Sequence, residues 1–220
     1  FNYLINANIN LSYFLKTISF TNINISINEL LNNSFITILI TLSATAIAIS
    51  LPPILLLIFN NKFTTYIFRF FAFWLRIVPP TIVILILLIF NQPSIALASL
   101  TLGIYNAAIT FRLLNINLNQ INKDLYKSML SLGCSRRVSW IYGLFSKQAK
   151  SYLAYCAYRS DIIIRETAIV GIIGGTGLGW QLNESLSSFA WGEVGFILIA
   201  YSFIAMVGEI INGKIKANIN

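Results

Sequence analysis

The sequence predicts an all-α integral membrane protein with about five transmembrane helices, and three observations carry that prediction. Of its 220 residues, 57% are hydrophobic and only 10% are charged, whereas a soluble domain uses about 25% charged residues to coat its surface. Mean hydropathy is +0.76. The charges fall in clusters, separated by apolar stretches long enough to cross ~30 Å of hydrocarbon. Such a chain is too apolar to be disordered and too irregular to be fibrous. It contains no His, which excludes Ser-His-Asp and Cys-His catalysis and the usual zinc or haem ligand sets. No metal and no cofactor are expected. Cys134 and Cys156 are too far apart for a Cys-x-x-Cys pair and read as ordinary thiols. The net charge of +8 would suit nucleic acid in a soluble protein. Here it reads as loops biased toward one side of a membrane, with lipid rather than nucleic acid as the partner.

The elements follow in order. The chain opens on Phe1 rather than Met, so a fragment of a longer product is expected. Residues 1–34 form an N-terminal, extracytoplasmic segment whose role is not readable; its residues 1–28 are Asn/Ile-rich and lack the basic start and compact apolar run of a cleavable signal. Phe35 to Phe59 is apolar, broken only by Pro52-Pro53, and makes the first span. Phe63–Leu75 reads as an aromatic interfacial helix. The charge-free stretch from Arg76 to Arg112 is too long for one helix, and Asn91-Gln92-Pro93 divides it into Ile77–Phe90 and Ser94–Phe111. A polar region of about 113–150 follows, then Ser151–Val170, a glycine-rich run Gly171–Gly179, and a last span Gly192–Ile211.

Basic residues orient this layout. Lys62, Arg69 and Arg76 lie between spans one and two. Arg112, Lys123, Lys127, Arg136, Arg137, Lys147 and Lys150 lie between spans three and four, and Lys214 and Lys216 follow span five. These 12 of the 15 basic residues share one side, which the positive-inside rule makes cytoplasmic. The opposite side receives Lys16 alone. The N-terminus is therefore expected outside, and the C-terminus and the polar loop in the cytoplasm.

Three patterns bear on function. Within Asn119–Trp140, apolar Ile121, Leu125, Met129 and Leu132 recur at helical spacing with basic residues between them. Gly133 then breaks the pattern, predicting two short helices joined at a glycine. This loop either lies on anionic lipid or docks a cytosolic partner. Second, Gly171, Gly174, Gly175, Gly177 and Gly179 place five glycines in nine residues. With no Lys and no phosphate-loop spacing, nucleotide binding fails. Irregular backbone or close helix approach at membrane depth remains, which needs surrounding protein or a water-filled cavity, against the plainer possibility of a flexible loop. Third, beside Tyr158, the residues Arg159, Asp161, Arg165 and Glu166 put four charged groups into a span, each costing roughly 2.5–3.5 kcal/mol at the membrane centre. At 100° per residue, Tyr158, Asp161 and Arg165 share one stripe, while Arg159 and Glu166 share another. They either lock helices together as ion pairs or line a transport path.

From the polar loop onward the chain resembles the membrane-spanning permease of binding-protein-dependent ABC importers, in the phosphonate-type branch. The resemblance rests on Leu132-Gly133-Cys134-Ser135-Arg136, Tyr142-Gly143, Tyr158-Arg159-Ser160-Asp161-Ile162 with Arg165, and the glycines from Gly171 to Gly179. Arg76 with Pro79-Pro80 also resembles the family's entry to span two. Lys127-Ser128-Met129 stands where the family has Glu-Ala-Ala, and Ser146 and Lys150 stand where it often has prolines. The resemblance covers roughly residues 76–216. It implies a type I importer permease domain over 35–216 in a bacterial inner membrane, in which two copies form a pore. Cytosolic ABC ATPase subunits would grip Lys127, Ser128, Leu132, Gly133, Cys134, Ser135 and Arg136, and an extracytoplasmic substrate-binding protein would deliver a phosphonate, phosphite or phosphate-like anion. The span-four charges would line the path, and the glycines would form a gate. Two other classes compete. An intramembrane aspartyl enzyme needs a second intramembrane Asp, and only Asp161 qualifies. A passive channel or assembly protein needs no basic, glycine-broken loop.

Overall fold

The computed structural model describes residues 26–59 and 62–219, so residues 1–25 of the N-terminal segment, with Lys16, lie outside it. Every regular element among the described residues is helical.

Helix α1 (Ile27–Ile58) begins at Ser26, whose Oγ accepts from the Glu29 N–H at 3.2 Å, and Glu29 places a carboxylate at the positive end of the helix dipole. Pro52 and Pro53 sit inside this helix. A proline has no N–H, so the carbonyl four residues earlier loses its helical donor. The two stranded carbonyls are those of Ala48 and Ile49. Thr110 Oγ1 donates to Ala48 O at 2.8 Å, and Tyr152 Oη donates to Ile49 O at 2.8 Å. Both donors are buried and come from other helices, so the prolines convert a local defect into two tertiary links.

Helix α2 (Lys62–Ile77) and helix α3 (Pro80–Phe90) meet at Pro79-Pro80 with a bend of 101°. Pro80 occupies the first position of α3, where its missing N–H is harmless. Eleven residues rise only about 16 Å, half of the hydrocarbon core. Helix α4 (Ile95–Gln120) is capped by Ser94, whose Oγ accepts from the Leu97 N–H at 3.2 Å. It runs past Phe111, where the sequence predicted the span to end. Its Asn-rich last turns stay helical because Asn115 is buried and accepts from Arg69 of α2 at 3.1 Å. Helix α4 lies at the centre of the bundle. Gly103 lets it close on α1, for an added Cβ there would meet Ile47 Cβ at 2.8 Å.

The short helices α5 (Asp124–Ser131) and α6 (Arg136–Trp140) are joined through Gly133, as the sequence predicted. A π-helical turn, Ile141–Phe145, leads into α7 (Ser146–Gly174). Then come α8 (Gly177–Ser187) and α9 (Trp191–Ile219). Among the described residues, three helices, α1, α4 and α9, are long and apolar enough to cross a membrane unbroken, and counting α2 with α3 and α6–α7 with α8 as bent pairs gives up to five spans. One buried cluster packs Phe111, Leu114, Trp140 and Tyr152 near the α5–α6 end. Another packs Ile40, Ile84, Leu102 and Val170 near the glycine-rich end. Large apolar side chains such as Phe203 and Met206 of α9 stay exposed, as they would against lipid tails.

Candidate functional site

Helix α7 carries four ionisable groups in mid-span, and they form two separate pairs. Arg165 Nη2 donates to Asp161 Oδ2 at 3.0 Å, one turn apart. Arg159 Nη2 reaches Glu166 Oε1 at 3.4 Å across seven residues. The faces predicted from helical spacing are the ones observed. The second pair points into the bundle, with side chains 13% and 19% exposed, and it has a third member that sequence reasoning missed. Asn106 of α4 accepts from Arg159 Nε at 2.5 Å and donates to Glu166 Oε2 at 2.8 Å. Asn106 is fully buried, so one amide bridges both charges and joins α4 to α7. The only sequence signal was a lone Asn within the predicted apolar span Ser94–Phe111.

The first pair is different. Arg165 is 64% exposed, whereas Asp161 is 16% exposed. Asp161 Oδ1 is buried and has no hydrogen-bond partner among the described residues. Tyr158, Arg165 and Ile169 form an exposed stripe along α7, and Lys216 of α9 sits 5.3 Å from the Tyr158 ring centre. The opposite side of α7 is tied to α9 by neutral groups: Ser160 Oγ donates to Asn212 Oδ1 at 2.9 Å, and the Thr167 and Tyr201 hydroxyls are hydrogen-bonded.

At the end of α7 the glycines build a tightly packed helical bend rather than a loose loop. Gly175 takes φ +64°, and the Thr176 N–H donates back to Gly171 O at 3.2 Å, which is the pattern that terminates helices on a left-handed residue. Helix α8 then continues at a bend of 57°. An added Cβ at Gly179 would meet Ala168 O at 2.5 Å and Gly171 C at 2.8 Å. One at Gly174 would strike Ile84 of α3 at 2.8 Å. Thr37 of α1 holds the start of α8, its Oγ1 accepting from the Leu178 N–H at 2.9 Å, and Asn33 donates to Gln181 Oε1 at 3.1 Å. Close helix approach explains the glycines.

The loop residues Lys127, Ser128, Leu132, Gly133, Ser135 and Arg136 are exposed, with Cys134 half-buried, so they form one ridge around the α5–α6 junction. Gly133 has φ +84°. The Gly133 N–H donates to Leu130 O and the Cys134 N–H to Met129 O, each at 3.0 Å, closing α5 with a Schellman motif. Ser135 Oγ accepts from the Val138 N–H at 3.4 Å and starts α6. Behind the ridge, Gly143 in the π-helical turn lies against the Tyr126 backbone, where an added Cβ would come within 2.9 Å of Tyr126 Cα. Trp140 stacks on Phe145 at 5.4 Å. The ridge is thus rigidly continuous with α7.

A crystal structure of an amino acid ABC transporter with histidines superposes on this chain with a TM-score of 0.65, covering 95% of this chain and 97% of that one at 15% identity. The fold is that of an ABC transporter permease. In sequence, the chain is 26% identical over 159 residues to HtxE of Stutzerimonas stutzeri, described as a phosphite transport system permease protein, covering 72% of this chain and 61% of HtxE. It is 28% identical over 118 residues to the ABC transport system permease protein p69 of Mycoplasma pneumoniae, covering 53% of this chain and 22% of p69. No protein-family model matches. The matches thus span about three fifths of one relative and about one fifth of the other. The resemblance to a phosphonate-type permease is borne out, and both relatives are named as transport permeases rather than enzymes. Helices α6–α7 with α8 make up one candidate crossing of a multi-pass membrane protein.

Proposed function

We propose that the chain is the permease subunit of a binding-protein-dependent ABC importer and provides the membrane path for a phosphonate, phosphite or phosphate-like anion. Two copies form the pore, the α5–α6 ridge docks a cytosolic ATPase, and a binding protein delivers substrate from outside. The N-terminus is then extracytoplasmic, and the ridge and C-terminus are cytoplasmic. HtxE is described as a phosphite permease, which supports the substrate class.

The observation that carries this reading is the exposed Arg165. Its guanidinium stands mostly uncovered on a mid-span helix, and against lipid each such charge costs roughly 2.5–3.5 kcal/mol. The Tyr158–Arg165 face therefore meets something polar: a second copy, a water-filled path, or both. A half-compensated positive charge there attracts an anion in passage, while the Asp161 partner keeps the empty site near neutrality.

The test is uptake of phosphite in proteoliposomes containing the permease, its ATPase and its binding protein. Arg165→Ala alone leaves Asp161 buried without a partner and should lower expression. The double change Asp161→Ala with Arg165→Ala should restore expression yet leave uptake near background. Full uptake by the double variant would sink the role of Arg165 in the path.

A further inference from the structure

No Asp or Glu occurs between Glu29 and Asp124, so helices α2, α3 and α4 contain no carboxylate at all. Three arginines nevertheless converge between α2 and α4. Arg69 and Arg76, seven residues apart on α2, and Arg112 on α4 line one cavity of about 390 Å³ together with Asn115 and Asn119. The buried ring of Phe111 and the methyl of Ala72 also line it. Arg69 donates to Asn115 Oδ1 at 3.1 Å, and Arg76 Nε donates to Ala72 O at 3.2 Å. Neither bond neutralises a charge. Among the described residues, no carboxylate lies within ion-pair distance of any of the three, since both ion pairs belong to α7. A second cavity of about 460 Å³ shares Arg69, Asn115 and Asn119 and extends the cationic lining to Lys123.

Arg69 and Arg112 are exposed and Arg76 is half-buried, so water and salt weaken the repulsion between these like charges without cancelling it. An anion between them removes that repulsion. Arginine forks match the oxygens of a phosphate group, binding two at a time, and the neighbouring Asn amides add neutral donors. The mouth of the cavity identifies the setting. Phe73, which lines it, is exposed, as are Phe70, Phe71 and Trp74 on the same helix. An amphipathic helix with exposed aromatic rings beside a basic pocket matches the membrane–water boundary, where such pockets take lipid headgroups.

We propose that the Arg69–Arg76–Arg112 cavity is a binding site for a phosphate oxyanion, supplied either by the phosphodiester of an anionic lipid or by a free phosphate-type anion. The site is separate from Asp161 and Arg165, and the inference does not rest on the transport reading. Its readout is binding.

The chain is reconstituted in phosphatidylcholine nanodiscs, with and without phosphatidylglycerol, and bound lipid is counted by native mass spectrometry. In phosphatidylcholine alone, inorganic phosphate is titrated and the thermal midpoint followed. The Arg112 side chain makes no hydrogen bond or ion pair within the described residues, so Arg112→Gln should keep the fold, and Arg76→Gln is the second variant should it not. If the lipid supplies the phosphate, phosphatidylglycerol is retained and either Gln variant weakens retention about tenfold, while Arg112→Lys, which keeps the charge, retains most of it. If the free anion supplies it, phosphate raises the midpoint in phosphatidylcholine and the Gln variants abolish the rise. No preference for phosphatidylglycerol and no response to phosphate, or responses equal in wild type and Gln variants, would overturn the proposal.

Discussion

Thr110 and Tyr152 are the partners of the two carbonyls that Pro52 and Pro53 leave open, and each link can be tested against its own proline. Thr110→Val and Tyr152→Phe remove one hydroxyl each with little change of shape. The hydroxyls and Ala48 are nearly fully buried, and each donor lies 2.8 Å from its carbonyl. Leaving a buried acceptor unpaired costs about 1–3 kcal/mol, while hydrogen bonds between membrane helices average about 0.6 and reach about 1.7 kcal/mol. About 1 kcal/mol per variant is therefore expected. Pro52→Ala supplies an N–H that can donate to Ala48 O along the helix, and Pro53→Ala does the same for Ile49 O. In those backgrounds the hydroxyl deletions should cost much less. Unfolding in mixed micelles of increasing denaturing-detergent fraction gives the four stabilities of each double-mutant cycle. Coupling of about 1 kcal/mol should appear for Thr110 with Pro52 and for Tyr152 with Pro53. The crossed pairs, Thr110 with Pro53 and Tyr152 with Pro52, are also close and can couple through shared packing, but should couple by clearly less than the matched pairs. Equal coupling in matched and crossed pairs would refute the idea that each hydroxyl replaces one missing helical bond.

Three further outcomes follow from the geometry. Gly133 sits at φ +84° with nothing within 4 Å of an added Cβ, so strain there is purely of the backbone, about 1–2 kcal/mol for a branched residue. Gly133→Leu should reach the membrane but separate ATP hydrolysis from uptake, and Gly133→Asn, which tolerates positive φ, should keep both; wild-type uptake by Gly133→Leu would show that the ridge only rests on lipid. Gly179→Ala drives a methyl into backbone on both sides and should destabilise the protein by about 1–3 kcal/mol, whereas Gly213→Ala, with open space around it, should be near neutral in the same detergent titration. Cysteines placed at Ser135 and Ser187 in a background lacking Cys134 and Cys156 should react with an impermeant thiol reagent from opposite sides of the membrane, and labelling of both from one side would overturn the proposed orientation.

Much of this was legible in the sequence because charges are expensive in lipid. Their spacing marked the spans, and helical periodicity sorted the α7 charges into the two pairs observed. The Gly133 junction and the close-packed glycines were also readable, because only glycine takes those conformations or permits that approach. What stayed hidden depends on partners distant in the chain. Asn106 looked like an isolated polar residue until Arg159 and Glu166, more than fifty residues away, met it. The Asn-rich end of α4 read as loop because each Asn is polar, and only the Arg69 bond shows why Asn115 can be buried in a helix. Pro52-Pro53 read as a flaw in a span; the hydroxyls that repair it belong to α4 and α7. The 101° turn between α2 and α3 was likewise visible as a proline pair but not as an angle.

The pairing on α7 also bears on how the protein responds to electrical force. Between Tyr158 and Glu166 the helix carries two positive and two negative groups, each pair closed within the helix itself. If α7 tilts or slides during a transport cycle, this stretch moves no net charge through the bilayer field. A single unmatched charge carried across would couple the motion to the membrane potential by about 2.3 kcal/mol per 100 mV, enough to bias one state of the cycle roughly fiftyfold. Under the proposed function, internal neutrality would leave the choice between states to a partner docked on the α5–α6 ridge rather than to the membrane potential.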